Sequence, residues 1–143
     1  MSVSDIGPYA FVDGSYNVRT KVYGCGGFVV ADGERYEIKA SGDDPEMASM
    51  RNVAGEILGA KLAVEKAFSL HLKSIIILYD YEGIEKWPLR LWKTNKKISM
   101  FYVSEYDGLK DKLKVNFVHV KAHTGIPGNE AADRMAKAEV GIE

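Results

Sequence analysis

Cysteine is nearly absent from this sequence, since Cys25 is the only one among 143 residues. An internal disulfide needs two cysteines, so the small disulfide-stabilised folds of secreted proteins are excluded. Cys25 lies among glycines with no histidine close by in the sequence, which favours a small buried residue over a reactive thiol. This cysteine usage is typical of a protein in a reducing compartment, and we expect a cytoplasmic location.

Long hydrophobic runs and a strong net charge are also missing. No apolar stretch approaches the roughly 20 residues that a membrane span requires, and the first residues lack the positive region and apolar core of a secretory signal. We therefore expect no membrane association. The formal net charge of −1 argues against attraction to nucleic acid through overall charge, but it leaves room for a local basic patch.

The hydrophobic pattern predicts a single α/β domain over residues 9–143, after a short leader at residues 1–8. Three strands joined by short turns predict an antiparallel meander, and two further strands complete a mixed five-stranded sheet. The fourth strand is expected to lie parallel to the first, through a helical crossover. The expected strands are residues 9–16, 22–31, 34–40, 74–80 and 115–120, and the helices are 51–69, 82–87, 95–106 and a last one with Asn129 as its N-cap.

The most unusual residue of the first strand is Asp13, a carboxylate in the middle of an apolar stretch. Because side chains alternate along a strand, Asp13 shares a face with Tyr9, Phe11 and Ser15. Two interpretations are open at this point: Asp13-Gly14 can form an ordinary turn, or Asp13 can belong to a functional site.

Three more acids stand at notable places, and each has a structural alternative. Glu56 lies near the edge of the inward stripe of the long helix, where a glutamate can snorkel to solvent. Asp80 ends the apolar fourth strand, where ligands gather in α/β sheets, but it can also cap the next helix. Asp133 lies in the first turns of the last helix, where an acid can interact with the helix dipole.

Basic and aromatic residues alternate after the fourth strand. This pattern suits a phosphate backbone and sugar faces, but it also describes a solvated helix anchored by tryptophans. The residues are Lys86, Trp87, Arg90, Trp92, Lys93, Lys96 and Lys97. Among the histidines, His119 falls within a strand and is interpreted as structural, whereas His123 follows that strand in a loop.

Taken together, four motifs resemble those of type 1 ribonuclease H, in that family's order. They are Asp13-Gly14-Ser15, Asn52 to Glu56, Leu78-Tyr79-Asp80, and His123-Thr124-Gly125 followed by Gly128 to Asp133. The resemblance covers the chain from about Tyr9 to Val140. It implies a ribonuclease H-like fold and an endoribonuclease that hydrolyses the RNA strand of RNA–DNA hybrids, leaving 5′-phosphate and 3′-hydroxyl ends.

The resemblance also implies a metal site. Asp13, Glu56, Asp80 and Asp133 would hold two Mg²⁺ ions in the substrate complex, with Mn²⁺ as a substitute, and His123 would assist proton transfer or product departure. The physical case agrees, because converging carboxylates repel one another unless cations lie between them, and oxygen ligands favour Mg²⁺ or Mn²⁺ over Zn²⁺.

For the substrate, the resemblance implies backbone contacts from Gly14, Ser15 and Asn52. The basic and aromatic segment would then hold the DNA strand through Trp87, Trp92, Lys93, Lys96 and Lys97. Two positions depart from the family's pattern: Val53 replaces a second asparagine, and Tyr81 follows the third acid where Ser or Asn is common. We expect a monomer without an obligate protein partner.

Two other functions compete with this one. A nucleic-acid-binding module could keep the fold without turnover, although the complete acid set argues against that. A related nuclease could act on DNA junctions or ends, although His123 and the Gly-Asn-Glu helix start favour ribonuclease H.

Overall fold

In a computed structural model, which describes residues 7–93, 96–120 and 127–142, the chain forms one mixed sheet flanked by helices. The strand order is β3-β2-β1-β4-β5. The strands are β1 (Tyr9–Asn17), β2 (Val22–Ala31), β3 (Glu34–Gly42), β4 (Ser74–Tyr79) and β5 (Lys114–His119). The predicted fold class is confirmed, and the strand positions agree with the sequence pattern to within two residues at each end.

Strand pairing follows the predicted meander and crossover. β1 pairs with β2 and β2 with β3 in the antiparallel sense, because only short turns separate these strands. β1 pairs with β4 and β4 with β5 in the parallel sense. The carboxyl ends of β1, β4 and β5 therefore meet at one edge of the sheet.

The helices are α1 (Pro45–Ala48), α2 (Asn52–Ser69), α3 (Gly83–Lys86), α4 (Lys97–Leu109) and α5 (Pro127–Glu139). The short helix α1 was not predicted; the Asp44 side chain caps it by accepting from the N–H groups of Glu46 and Met47. The expectation that Asn129 is an N-cap is wrong, because α5 begins at Pro127 and Asn129 lies in its first turn. Proline suits a first helical position, where its missing N–H is not needed.

The core lies mainly between the sheet and α2, which packs on β1 and β2 and contacts α4 on its other side. On the opposite face, α5 covers β1 and β2 over a smaller cluster built on Phe11 and Phe28. Cys25 is buried, as expected. Within residues 7–93, 96–120 and 127–142, no helix is both long and apolar enough to cross a membrane.

Candidate active site

The four acids predicted from the sequence come from four different elements that meet at one edge of the sheet. Asp13 lies in β1, Glu56 in α2 and Asp133 in α5, and Asp80 directly follows β4. In the parallel pairing of β1 with β4, Phe11 is opposite Leu78 at the last paired position, and Asp13 and Asp80 each follow two residues later. Residues far apart in sequence are thereby collected at a single site.

Glycines let α2 approach the sheet closely enough to place Glu56 beside Asp13. A Cβ atom on Gly14 would overlap the carbonyl oxygen of Asn52 and the backbone nitrogen of Glu56. In the same way, a Cβ atom on Gly55 would overlap the carbonyl oxygen of Gly24. The backbone contact between α2 and the sheet therefore depends on missing side chains at these positions.

Glu56 is the most buried of the four acids, with only 3% of its surface exposed. Its Oε1 atom accepts hydrogen bonds from the backbone N–H groups of Asp80 and Tyr81, each at 2.9 Å. Burial raises the pKa of Glu56 to about 7, and the charge of Asp80 adds to this effect, while the two backbone N–H groups oppose it. Glu56 does not snorkel to solvent; it is tied to the loop that follows β4.

Asp13 is partly buried, and its Oδ1 atom accepts from the backbone N–H of Gly14 at 2.8 Å. Burial raises the pKa of Asp13 to about 8, with further contributions from the negative charges of Glu56 and Asp133. Asp13 continues the β1 ladder opposite Gly26, so it is a strand residue and does not begin a turn. It is close enough to both Glu56 and Asp133 for the charge of each to act on it.

Asp133 lies in α5, close enough to Asp13 for its negative charge to contribute to the raised pKa of Asp13. Its Oδ2 atom is 3.1 Å from the ammonium nitrogen of Lys137, one helical turn later. This ion pair is partly exposed, so it contributes little to stability. It does place a positive charge at the margin of the acidic site.

A cleft of about 140 Å³ lies between these elements. Three of the acids line it, together with Gly14, two asparagines and a glutamate. The lining consists of Asp13, Gly14, Asn52, Asp80, Asn129, Glu130 and Asp133. Glu56 is not one of the lining residues, but its Oε1 atom accepts from the backbone N–H of Asp80, which is.

Asn129 and Glu130 were missed as site residues in the sequence analysis. They precede Asp133 by one helical turn, so residues at these positions share its face of α5. That spacing is present in the sequence, but the prediction that Asn129 is an N-cap placed it outside the helix and so did not assign it to this face. The structure puts both residues in the wall of the cleft.

The donor atoms of this site fit a hard divalent cation. Asp13, Glu56, Asp80 and Asp133 supply carboxylate oxygens, which Mg²⁺ and Mn²⁺ prefer. The pKa values of Asp13 and Glu56 are raised mainly by burial, and negative charges of neighbouring acids add to both shifts. In the part of the chain that the structure describes, no three acidic, histidine or cysteine side chains are close enough to enclose one ion. The acids of the site are therefore openly arranged and do not surround an ion on all sides.

The predicted substrate contacts fall into two groups. Gly14 and Asn52 line the cleft, whereas Ser15 is buried and does not appear in the cleft wall that the structure describes. Lys93 and Lys96 are exposed, and Lys97 is the first residue of α4. His123 lies outside the described residues.

Three aromatic rings connect the basic segment to the acidic site. The ring centroids of Tyr81, Trp87 and Trp92 are 5.7 to 6.0 Å apart. Trp87 is only 6% exposed and donates its indole N–H to the carbonyl oxygen of Lys93 at 3.2 Å. Trp92 is partly buried and lies 5.2 Å from the ammonium nitrogen of Lys86. Trp87 is thus part of the core, and Trp92 is the more accessible ring.

His119 lies next to the site. Its Nε2 atom is 2.8 Å from the carbonyl oxygen of Asp80, and its ring contacts the ring of Tyr79 at a centroid distance of 5.4 Å. Only the position of His119 near the end of the strand parallel to β4 could have indicated this contact from the sequence.

Comparisons with known proteins agree with this arrangement. The family model described as RNase H matches residues 8–141. A protein named Ribonuclease H from Maricaulis maris is 30% identical over 125 residues, covering 80% of each chain. Human Ribonuclease H1 is 26% identical over an alignment of 97 residues, which covers 60% of this chain and 34% of the human one. The matched region thus spans about a third of the human protein.

A solved structure shows the same fold. RNase H1 from the archaeon Halobacterium salinarum superimposes with a TM-score of 0.73 at 21% identity, covering 93% of this chain and 96% of that one. At this identity the likeness concerns the fold alone.

Proposed function

The chain belongs to the ribonuclease H family, and we propose that it is an endoribonuclease that hydrolyses the RNA strand of RNA–DNA hybrids. The observation that carries this proposal is that Asp13, Asp80 and Asp133 line one cleft, while Glu56 is hydrogen-bonded to the backbone of Asp80 beside it. Uncompensated carboxylates at one place are costly for a fold. A bound cation would offset this cost by neutralising their charge.

Two divalent cations, when bound at such a site, lower the pKa of a water and stabilise the leaving oxygen of a phosphodiester. Asp13 would be the shared ligand, because it lies between Glu56 and Asp133. Glu56 would contribute through the carboxylate oxygen that accepts no hydrogen bond from Asp80 or Tyr81. Asp80 and Asp133 would complete the set, and Mn²⁺ would substitute for Mg²⁺ because both take oxygen ligands.

The raised pKa values have a consequence for binding. With pKa values of about 8 and about 7, Asp13 and Glu56 hold protons near neutral pH when no cation is present. Cation binding requires the charged carboxylates, so it releases protons and becomes stronger as the pH rises. A calorimetric titration in buffers of different ionisation enthalpy measures this release.

The bond that breaks joins the phosphorus to the 3′ oxygen of a ribose. A water attacks the phosphorus opposite that oxygen, loses its proton, and leaves a 5′-phosphate on one product. The 3′ oxygen takes up a proton and becomes the 3′-hydroxyl of the other product. His123 has the residue type for such proton transfer, because imidazole titrates near neutral pH.

Selection of a hybrid would come from groups on either side of the cleft. Gly14 and Asn52 line it and would meet the RNA strand, with Ser15 supporting the backbone beside them. The exposed Lys93 and Lys96, together with Lys97 and the partly buried Trp92, would meet the DNA strand. Trp87 would act by holding Trp92 in place, because its own ring is buried.

The remaining expectations from the sequence belong to the same proposal. Residues 9–143 would form one catalytic domain that follows a short leader at residues 1–8. It would act as a monomer, without an obligate protein partner, in the cytoplasm. Size-exclusion chromatography with light scattering measures the oligomeric state, and cell fractionation measures the location of the protein.

Cleavage of defined duplexes tests the proposed activity. The protein is incubated with end-labelled RNA–DNA hybrid, double-stranded RNA, double-stranded DNA and a DNA junction, in Mg²⁺, in Mn²⁺ or in EDTA. We expect internal cuts in the RNA of the hybrid, with 5′-phosphate ends, and no cleavage in EDTA. An intact hybrid in both metals contradicts the proposal. Tight binding without cleavage indicates a binding module, and cleavage of the junction or DNA duplex indicates the other nuclease.

A further inference from the structure

His119 makes a specific contact with the main chain of Asp80. Its Nε2 atom lies 2.8 Å from the Asp80 carbonyl oxygen. A carbonyl oxygen only accepts hydrogen bonds, so the donor is the Nε2–H group of the imidazole. The contact lies one residue beyond the last paired position of β4 and β5, at which Tyr79 is opposite His119. The side chain of His119 therefore continues the connection between the two strands where their ladder ends.

The peptide unit between Asp80 and Tyr81 is bonded on both of its sides. Its carbonyl group, from Asp80, accepts from His119 at 2.8 Å. Its N–H group, from Tyr81, donates to Oε1 of Glu56 at 2.9 Å. Because a peptide unit is planar and rigid, a bond on one side restricts the direction of the group on the other. His119 and Glu56 thus hold one peptide between them.

We propose that His119 is a positioning residue for the acidic site, acting through the Asp80–Tyr81 peptide on Glu56 and Asp80. Donation to the carbonyl oxygen polarises the peptide and strengthens its N–H as a donor to Glu56. The same bond restricts the backbone from which the Asp80 side chain projects. His119 thereby orients two cation ligands without touching the cation, as groups behind metal ligands commonly do.

Packing alone does not account for this histidine. His119 is exposed, and within residues 7–93, 96–120 and 127–142 its ring contacts one aromatic ring, that of Tyr79, at 5.4 Å between centroids. A phenylalanine would keep that contact and remove the donor. Glutamine would remove the ring and keep an N–H donor at a similar distance from the backbone. These two substitutions separate packing from hydrogen bonding.

The inference that His119 affects catalysis rests on the proposed function, so its test includes a measurement that does not. His119→Phe, His119→Gln and the control Val118→Thr, on the opposite face of β5, are labelled with ¹⁵N. We expect His119→Phe to shift the amide signals of Asp80 and Tyr81 in the metal-free protein, and His119→Gln to leave them near their wild-type positions.

Titration with Mg²⁺ then gives the effect on cation binding. We expect His119→Phe to raise the Mg²⁺ concentration for half-maximal binding, and for half-maximal hybrid cleavage, by about tenfold, with little change in KM for the hybrid. His119→Gln is expected to stay within about twofold of wild type, as is Val118→Thr.

Unchanged amide signals and Mg²⁺ dependence in His119→Phe would overturn the inference, as would a His119→Gln variant as impaired as His119→Phe. A wild-type protein that fails to cleave hybrid contradicts the proposed function alone, because the amide signals and Mg²⁺ binding still test His119.

Discussion

The Oε1 atom of Glu56 lies 2.9 Å from the backbone nitrogen of Asp80, so a hydrogen bond joins two acids of the site that are 24 residues apart. The same oxygen accepts from the N–H of Tyr81. Glu56 therefore has a structural role, which is to satisfy two backbone donors, in addition to the proposed cation binding. These two roles can be separated, because the first needs an oxygen acceptor and the second needs a negative charge.

Glu56→Gln and Glu56→Ala are expected to differ in stability but not in activity. Glutamine keeps an acceptor oxygen, so the free energy of unfolding of the Glu56→Gln variant is expected to stay within about 1 kcal/mol of wild type. Alanine leaves two N–H groups unsatisfied in a buried place and is expected to cost about 2 to 4 kcal/mol. Both variants lose hybrid cleavage. Urea unfolding and a cleavage assay measure the two effects, and equal stabilities for the two variants would contradict the structural role.

Asp13→Asn is expected to abolish turnover while leaving the fold intact. Asparagine keeps the oxygen that accepts from Gly14 at 2.8 Å but removes the charge that a shared cation ligand needs. His123→Ala is the comparison, and it is expected to slow cleavage by about a hundredfold without eliminating it, as for the loss of one proton-transfer group. Circular dichroism checks folding. Substantial activity in Asp13→Asn would show that Asp13 does not have the assigned role.

The stability of the metal-free protein is expected to fall as the pH rises from about 4 to about 8. Asp13 has a pKa of about 8 in the folded protein, against 3.8 in a model compound. Over that interval the folded state binds more protons than the unfolded state, so raising the pH favours unfolding. Glu56, with a pKa of about 7 against 4.5, acts in the same direction.

Asp13→Asn removes part of this pH dependence. Solvent screens part of the effect, because Asp13 is only partly buried. We expect the variant to be more stable than wild type by about 1 to 2 kcal/mol at pH 8 and close to it at pH 4. Urea unfolding in EDTA at several pH values measures this difference. Added Mg²⁺ is expected to stabilise wild type at pH 8. A stability difference between Asp13→Asn and wild type that does not change with pH would contradict the raised pKa of Asp13.

The fold was predictable because its strands and its long helix have clear apolar patterns. β2 begins and ends where the sequence pattern predicted. Helix α2 starts at Asn52 and not at Arg51, because Arg51 has a left-handed φ of 54°. The helix α1 has only four residues, too few for a periodic signal to be recognised.

The site was predictable only in part. Each acid had a structural alternative, and the motifs had to be taken together before they pointed to one place. The burial of Trp87 and the contact from His119 to the Asp80 carbonyl depend on how loops pack after β4. Such contacts depend on tertiary distances, which alternation and spacing do not encode.

Gly55→Ala is expected to destabilise the protein although it improves helix propensity. A Cβ atom at this position would overlap the carbonyl oxygen of Gly24, and overpacking of this kind costs about 1 to 3 kcal/mol. It would also move Glu56 away from Asp13, so hybrid cleavage is expected to fall with stability. Thermal and urea unfolding measure the change.

Gly108→Ala is the matched control, because Gly108 also lies in a helix and a Cβ atom there would meet no atom within 4 Å. Alanine is a better helix former than glycine by about 1 kcal/mol. We therefore expect this variant to be as stable as wild type or more so, with unchanged cleavage. A stabilised Gly55→Ala variant would show that α2 does not need its close approach to β2.

Trp92→Ala is expected to weaken hybrid binding more than it weakens the fold. Trp92 is partly buried, and the ammonium nitrogen of Lys86 lies 5.2 Å from its ring. Stacking of an aromatic ring on a nucleic-acid base contributes about 1 to 3 kcal/mol to binding. We expect KM to rise about tenfold with kcat nearly unchanged. Phe68→Ala is the control, because Phe68 is an accessible aromatic ring that also lies near a lysine, Lys112, but it stands at the end of α2 away from Glu56. Equal effects on KM in the two variants would show that the aromatic segment after β4 has no special part in binding.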